Sequence, residues 1–228
     1  PSIISYPESH DEERLMYKCL EYGDASGSYE VTDLNTALHR MEAIACFNLL
    51  LPGPKMIWQF EELGYDYSIN TCSDGVTISE DCRTEAKPVR WDYRGNPNRY
   101  RIHEVISGLC ALKHGFPETF STNSYNWDVG GYGKRLHLNG PMNAVVVANF
   151  KADGIEMIPG FQHTGTWWDY FTGEELEVSD INSFLPFDAG EYHVYVDQEL
   201  DFPASLEELT PSNAALGTFV YPNPTSDQ

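Results

Sequence analysis

The spacing of the apolar residues changes near residue 117, and this change constrains the fold more than any other feature of the chain. Before it, apolar residues recur at three- and four-residue steps, as on one face of a helix. After it, they fall into short runs separated by Gly, Asn and Asp, as in antiparallel strands. We therefore expect an α/β part over residues 1–116 and an all-β part over residues 117–200.

Two helices are predicted before the change. The first is capped by Thr32 or Asp33 and stopped by Pro52-Gly53-Pro54, and the second ends at Gly115. The stripe of the first helix comprises Leu34, Leu38, Met41, Ala45 and Leu49, and that of the second comprises Ile102, Val105, Ile106, Leu109 and Leu112.

Two apolar runs, residues 3–6 and 55–60, flank the first helix and are predicted strands. The order strand, helix, strand is the unit of a parallel sheet. Residues 18–31 are polar with glycines and are expected to form a surface loop over a short helix start. Residues 64–98 are long, polar and irregular, which is typical of a functional or covering loop.

Five short β-runs with turn signals between them follow residue 117, and their spacing predicts an antiparallel β-sandwich. The runs are residues 135–138, 143–150, 155–158, 166–171 and 191–196. The adjacent Trp167 and Trp168 could stack on sugar rings, but packing inside the sandwich is the preferred interpretation because aromatic residues fill most β cores.

The five cysteines are an odd number, so at least one has no partner within the chain. Cys72 and Cys82 are the plausible disulfide, closing a short polar loop. Cys19, Cys46 and Cys110 lie in or beside apolar helical patterns and are predicted to be small buried hydrophobic residues. No Cys or His spacing indicates a metal site.

The net charge of -21, from 35 acidic and 14 basic side chains, restricts the partners of this chain. Nucleic acid and anionic membrane surfaces are poor candidates, because no run of Lys or Arg is present. No apolar segment approaches the length that spans a bilayer.

The first predicted strand leads into Glu8-Ser9-His10-Asp11, and this delivers a His-Asp pair to a strand end. A carboxylate there can stabilise positive charge on a sugar ring, while the imidazole donates a hydrogen bond. Alternatively, these polar residues start a helix, with Ser9 or Asp11 as the cap and Glu12 and Glu13 favoured by the helix dipole.

The segment ending in His10-Asp11 and the segment 52–65, in this order with one helix between them, resemble glycoside hydrolase family 13, the α-amylase family. The first is similar to the family's fourth signature motif, and the second is similar to its glycine-proline motif on the eighth barrel strand. Further resemblance to the sandwich that follows the barrel lies in residues 143–150, 165–174 and 190–195, so that the similarity covers residues 3–198.

The resemblance implies a fold class and site residues. The fold would be the seventh and eighth strand and helix units of a (β/α)8 TIM barrel over residues 1–116, followed by an antiparallel β-sandwich. Asp11 would be the carboxylate that stabilises the transition state, His10 and Arg14 would bind substrate, and Glu62 would support the site. The sequence departs from the family where a glycine usually precedes this acid, since Phe60 and Glu61 stand there.

The implied activity is retaining hydrolysis of α-1,4-glucosidic bonds in starch-like or glycogen-like polysaccharides. The nucleophile and the general acid of the family lie on the fourth and fifth strands, which these residues do not match, so the fragment alone is expected to be inactive. No cofactor is expected in this chain, and calcium in the parent protein would take upstream ligands. Two alternatives are a glucan branching enzyme, which also carries Ser-His-Asp-Glu, and a non-catalytic carbohydrate-binding sandwich.

Residues 201–228 are rich in Pro, Ser, Thr and acidic residues and are predicted to be a linker. Within them, residues 220–227 resemble the start of the sorting domain used by type IX secretion in Bacteroidetes. The resemblance implies a secreted or cell-surface parent protein, which would permit the Cys72–Cys82 bridge.

Overall fold

A computed structural model describes residues 4–200 of the chain. The predicted linker and sorting segment, and the first residue of the first predicted strand, lie outside the described residues. The helices are α1 Leu15–Tyr22, α2 Leu34–Leu50, α3 Pro97–Gly115 and α4 Pro117–Phe120, with 3-10 turns at Glu61–Leu63, Glu80–Cys82 and Trp91–Gly95. The strands are β1 Ala25–Ser26, β2 Tyr29–Glu30, β3 Tyr125–Asp128, β4 Gly133–Leu138, β5 Ala144–Asn149, β6 Ile155–Met157, β7 Gly165–Asp169, β8 Glu175–Val178, β9 Leu185–Phe187 and β10 Tyr192–Val196.

Both predicted helices are confirmed, α2 and α3. The Asp33 side chain caps α2 by accepting a hydrogen bond from the Thr36 amide at 3.0 Å. Asn96 caps α3 with Pro97 in its first turn, a position where the missing N–H costs nothing. All residues of the two predicted stripes are buried except Leu34, which is half-buried.

All five predicted β-runs form strands, β4, β5, β6, β7 and β10. After residue 117, three further strands were not predicted, because β3 is exposed throughout, β8 carries two glutamates and β9 contains a proline. Six strands form an antiparallel sheet in the order β3-β4-β5-β10-β7-β8, and β6 and β9 form a separate ribbon.

Strand β5 is buried along its whole length, and it shows how the layers are arranged. Successive side chains of a strand point to opposite faces of the sheet. Ala144, Val146 and Ala148 belong to the core shared with α2 and α3, whereas Val145 and Val147 pack in the cluster that includes the β6–β9 ribbon. The sheet is therefore a middle layer, with helices on one face and the ribbon on the other.

A buried carboxylate ties the helices to the sheet. Glu42 of α2 is 2% exposed. It accepts a hydrogen bond from the Tyr192 hydroxyl of β10 at 2.6 Å and pairs with Arg101 of α3 at 3.2 Å. His39, one turn earlier on α2, lies 3.3 Å from the same carboxylate. A buried charge is tolerated where it is paired and hydrogen-bonded, as Glu42 is.

The two predicted strands near the N-terminus are much shorter than expected. They reduce to one parallel bridge between Ser5 and Lys55, flanked by the hydrogen bonds Ser5 N–H to Pro54 O and Met56 N–H to Ser5 O, each 3.1 Å long. The parallel direction agrees with the prediction. Within residues 4–200 no third strand adjoins this pair and no closed barrel is formed, so a longer ladder has no neighbour to support it.

The surface loop predicted over residues 18–31 is wrong in part. It contains most of α1 and the β1–β2 hairpin, because Met16 is fully buried and Cys19 and Leu20 pack against the helical core. Burial of Cys46 is confirmed, but Cys110 is exposed, since it lies outside the buried stripe of α3.

Among the described residues, no helix is both long and apolar enough to cross a membrane.

A histidine held between two carboxylates should make the stability of the sheet depend on pH. His193 Nδ1 lies 2.6 Å from Asp169 and Nε2 lies 2.8 Å from Glu191. Burial lowers the pKa of His193, but the hydrogen bonds to both carboxylates outweigh burial, and the pKa is raised overall. A raised pKa in the folded state means that the stabilisation is complete below the unfolded pKa of about 6.5 and is lost as pH rises through the folded value.

We therefore expect His193→Gln to lower the free energy of unfolding by about 1–2 kcal/mol at about pH 6 and by clearly less at about pH 9. Urea denaturation at the two pH values measures the difference. His114→Gln, at an exposed position on α3, is the control and should show no such difference. A loss for His193→Gln that is equal at both pH values would contradict the role of its charge.

Candidate functional site

His10 and Asp11 lie side by side between the parallel bridge and α1. Their side chains are 69% and 74% exposed, and His10 Nε2 is 3.4 Å from the Asp11 carboxylate. Neither Ser9 nor Asp11 caps α1, whose N-cap is Arg14. Instead, Ser9 Oγ accepts a hydrogen bond from the Asp11 amide at 3.1 Å, which fixes the turn before the helix. The pair is thus free to face solvent and a ligand.

Arg14 is expected from the sequence to bind substrate, but its side chain is only 4% exposed. Its guanidinium pairs with Glu8 at 3.2 Å, and Glu8 is 1% exposed. The second Glu8 oxygen accepts from the Leu15 amide at 2.9 Å, so Glu8 caps α1 from a distance. The structure therefore places Arg14 in an internal ion pair beneath His10 and Asp11.

A cleft of about 530 Å³ opens at His10 and Asp11, and we call it the His10 cleft. Residues 10–14, residues 58–59 and the loop 83–89 supply its walls. Its lining comprises His10, Asp11, Arg14, Trp58, Gln59, Ile69, Arg83, Thr84, Glu85, Ala86, Lys87 and Val89.

The loop that forms one wall is fixed by a disulfide between Cys72 and Cys82, whose Cα atoms are 4.8 Å apart. The Arg83 guanidinium, directly after the disulfide, donates a hydrogen bond to the Asp11 backbone carbonyl. Lys87 donates to the carbonyls of Thr71 and Cys82, each at 2.7 Å. These bonds hold the wall against the segment that carries Asp11.

Trp58 stands between His10 and Arg14. Its ring centroid is 5.5 Å from that of His10, and the Arg14 guanidinium carbon is 5.7 Å from it. Glu61 lies behind Trp58, is 5% exposed, and accepts a hydrogen bond from the Trp58 amide at 2.9 Å. Burial, above all, raises the pKa of Glu61 to about 8. Burial also raises the pKa of Glu8.

Phe60 takes the conformation of the glycine that the resemblance leads one to expect. Its φ is 58° and ψ is 12°, and it is the only non-glycine residue with positive φ among residues 4–200. Such a conformation costs a non-glycine residue about 1–2 kcal/mol. Phe60 is 6% exposed and packs its ring on Tyr65 and against the edge of Trp91, which offsets the cost.

Glu62 does not line the His10 cleft. It is half-buried in the turn Glu61–Leu63 and borders a second cavity, an apolar groove of about 1150 Å³ between residues 57–62 and α3. Trp58, Gln59 and Val89 border both cavities, and a link between Glu62 and the His10 cleft would run through them. Its predicted supporting role stays a prediction.

Residues 4–200 bring few candidate metal ligands together. The one cluster of candidate metal ligands within the described residues is Cys72, Cys82 and Glu85. Both cysteines are in the disulfide, and calcium takes six to eight oxygen ligands.

Both tryptophans of β7 pack against a buried core. Trp167 is fully buried, and its indole N–H donates to the His163 carbonyl at 3.2 Å. Trp168 is half-buried and packs against the helical core. Packing, the preferred interpretation of this pair, is therefore confirmed for Trp167.

The His10 cleft combines the carboxylates of Asp11 and Glu85, one imidazole and the cationic side chains of Arg83 and Lys87. A carboxylate so placed can stabilise developing positive charge, and the N–H groups can donate to hydroxyls. Trp58, Glu61 and Arg83 were not identified from the sequence. The acidic pair Glu61-Glu62 carried a signal for Glu61, but only the fold shows which of the two turns inward.

No protein-family model and no curated protein matches the chain. Solved structures do. AmyP in complex with maltose has a TM-score of 0.63 at 15% identity, covering 85% of this chain and 40% of that chain. The α-amylase of Geobacillus thermoleovorans complexed with acarbose has a TM-score of 0.60 at 10% identity, covering 86% and 38%.

The trehalose-6-phosphate hydrolase of Bacillus licheniformis has a TM-score of 0.57 at 16% identity, covering 85% of this chain and 42% of that chain. The chain thus shares its fold with part of these glycoside hydrolases. It spans only 38% to 42% of the length of these three chains.

The conformation of Phe60 predicts an unusual order of stability among its variants. Phe60→Ala and Phe60→Gly both lose the buried ring, at about 3–5 kcal/mol. Because glycine accepts positive φ, Phe60→Gly should be more stable than Phe60→Ala by about 1 kcal/mol. Thermal or urea unfolding measures the two values.

Phe120 is the matched control, because it is fully buried but lies in α4. There the order should reverse, since glycine is about 1 kcal/mol less favourable than alanine in a helix. If Phe60→Ala is at least as stable as Phe60→Gly, residue 60 does not hold positive φ in solution.

Proposed function

We propose that this chain is part of an α-amylase-type glycoside hydrolase of family 13, whose parent protein cleaves α-1,4-glucosidic bonds by a retaining mechanism. The observation that carries the proposal is the exposed pair His10 and Asp11, side by side in a cleft, within a fold shared with α-amylases. The motif resemblance of the segments around His10 and Glu62 supports it independently.

In the proposed mechanism, Asp11 is the open carboxylate that stabilises positive charge as the glycosidic bond breaks. A preorganised charge in a cleft is worth far more than the same charge in water. His10, 3.4 Å away, donates a hydrogen bond to a sugar hydroxyl. Arg14 holds the segment from below through Glu8, and Glu62 remains a proposed supporting residue.

Two further carboxyl groups, a nucleophile and a general acid, are needed for retention. Glu85 is the other carboxylate of the cleft lining, and one of its oxygens accepts from the Ser73 amide at 2.9 Å. We propose that the nucleophile and general acid come from upstream residues of the parent protein and that the fragment alone does not hydrolyse glucans. Calcium ligands, where the parent protein has them, would be upstream as well.

A starch-like or glycogen-like glucan is the proposed substrate, and the complexes of AmyP with maltose and maltotriose support an α-glucan oligosaccharide as the bound species. For the parent protein we propose secretion or cell-surface display through the type IX system, from the resemblance of residues 220–227 alone.

A glucan branching enzyme is the second candidate, favoured by the order Ser9, His10, Asp11, Glu12. In the structure, Ser9 Oγ is hydrogen-bonded to the Glu12 carboxylate, so the four residues form one turn. Analysis of the products for new α-1,6 branch points separates branching from hydrolysis.

Asp11→Asn in the parent protein should reduce starch hydrolysis by about 100-fold to 1000-fold, the cost of removing one charge-stabilising group from an active site. The loss should appear in kcat, because the carboxylate acts on charge that develops in the transition state. Reducing-sugar release from soluble starch measures it.

Asp188→Asn, at an exposed position outside the cleft lining, is the control and should keep full activity. Unchanged turnover of Asp11→Asn would remove the role proposed for Asp11.

A further inference from the structure

Trp58 is the indole of the His10 cleft, and its position determines the shape of the wall beside His10. The ring contacts His10 on one side and the Arg14 guanidinium on another. Its Nε1 is buried and has no acceptor among the described residues. The ring is therefore oriented by stacking and by its own backbone, since no hydrogen bond from the indole holds it.

The Trp58 backbone is held twice by Glu61. The Trp58 amide donates to the Glu61 carboxyl group, and the Glu61 amide donates to the Trp58 carbonyl, each at 2.9 Å. The left-handed conformation of Phe60 brings Glu61 back towards Trp58 and makes this reciprocal pair possible. The Glu61 side chain, which is 5% exposed, thus fixes the backbone of Trp58, whose ring borders the cleft.

Three charged or titratable groups face Glu61. Glu8 and Arg14 approach from the segment before α1, and Glu62 is its neighbour in the turn. Arg14 is hydrogen-bonded to Glu8. A charge on Glu61 would stand near two carboxylates with one shared guanidinium to offset them, and burial adds to this cost.

We infer that Glu61 is a positioning residue of the His10 cleft, whose carboxyl group fixes the Trp58 peptide and thereby the indole ring against which His10 stands. The inference rests on the proposed function for the role of His10. It deepens that function by adding a residue that never touches substrate. The titration of this residue changes the position of Trp58 in the wall of the cleft. Ionisation of Glu61 places a second negative charge beside Glu8, and the repulsion between the two carboxylates, rather than loss of the Trp58 hydrogen bond, shifts the Trp58 segment.

The first experiment uses the chain itself and requires no catalysis. The fluorescence of Trp58, taken as the difference between the protein and its Trp58→Phe variant, is followed between about pH 6 and pH 9.5. We expect a transition with a midpoint near pH 8, the value to which burial raises the pKa of Glu61. Glu61→Gln keeps an oxygen acceptor for the Trp58 amide but cannot ionise, so its difference signal should lack the transition near pH 8.

Glu21→Gln, at an exposed position on α1, is the matched control and should keep the transition. A transition near pH 8 that persists in Glu61→Gln, or a wild-type signal without one, would overturn the inference. Circular dichroism of each variant shows whether it is folded. Because glutamine preserves the acceptor, Glu61→Gln should fold where Glu61→Ala does not.

The second experiment uses the parent protein. A group with a pKa near 8 is about one-tenth protonated at a pH one unit higher, so kcat/KM on maltotriose should fall about tenfold between pH 7 and pH 9. In Glu61→Gln this part of the fall should be absent, with kcat/KM at pH 7 within about twofold of wild type.

The two experiments separate the two claims. A Glu61-dependent fluorescence transition in a parent protein that cleaves no glucan would refute the proposed function and leave the placement of Trp58 by Glu61 standing. The parent protein could instead hydrolyse glucan with no fluorescence transition, and kcat/KM could fall equally between pH 7 and pH 9 in wild type and in Glu61→Gln. That result would refute the role of Glu61 alone.

Discussion

The rest of the structure depends on the hydrogen bonds and ion pairs of one buried carboxylate, that of Glu42. Glu42 lies where α2, α3 and β10 meet, and each of the three elements supplies it with a partner, His39, Arg101 and Tyr192 respectively. Removal of any partner would leave part of a charge unpaired in the core, which costs more than an ordinary hydrogen bond. The carboxylate therefore fixes the orientation of the helices on the sheet. Its hydrogen bonds and ion pairs are directional, whereas apolar packing is not.

A similar logic supports the His10 cleft. The two exposed residues that could act on a ligand stand on a base of buried groups, Glu8, Arg14 and Glu61, and beside a loop closed by a disulfide. Exposed side chains gain precision when the residues beneath them are locked by packing and hydrogen bonds. The cleft is thus organised from beneath, by Glu8 and Glu61, which do not line it, and by Arg14, whose buried side chain reaches its lining.

The sequence predicted what depends on periodicity and local chemistry. Both long helices and five strands follow from spacing, because burial of one face selects these patterns, and the Asp33 cap of α2 follows from local chemistry. It could not predict the length of the Ser5–Lys55 pairing, which depends on neighbouring strands, nor the strand β3, whose side chains are exposed on both faces. In the site, His10 and Asp11 were found from their position at a strand end. Glu61 was missed, because two adjacent glutamates look alike until the left-handed Phe60 decides which one turns inward.

The core on the helix side of the sheet has a consequence for how the molecule comes apart. It combines residues from α2 and α3 with residues from β4, β5 and β10, so it lies on both sides of the change in pattern at residue 117. Neither the helices nor the sheet could unfold separately without exposing this shared apolar surface to water. Unfolding should therefore be cooperative across residue 117, and the chain should melt in a single transition although its sequence has two characters.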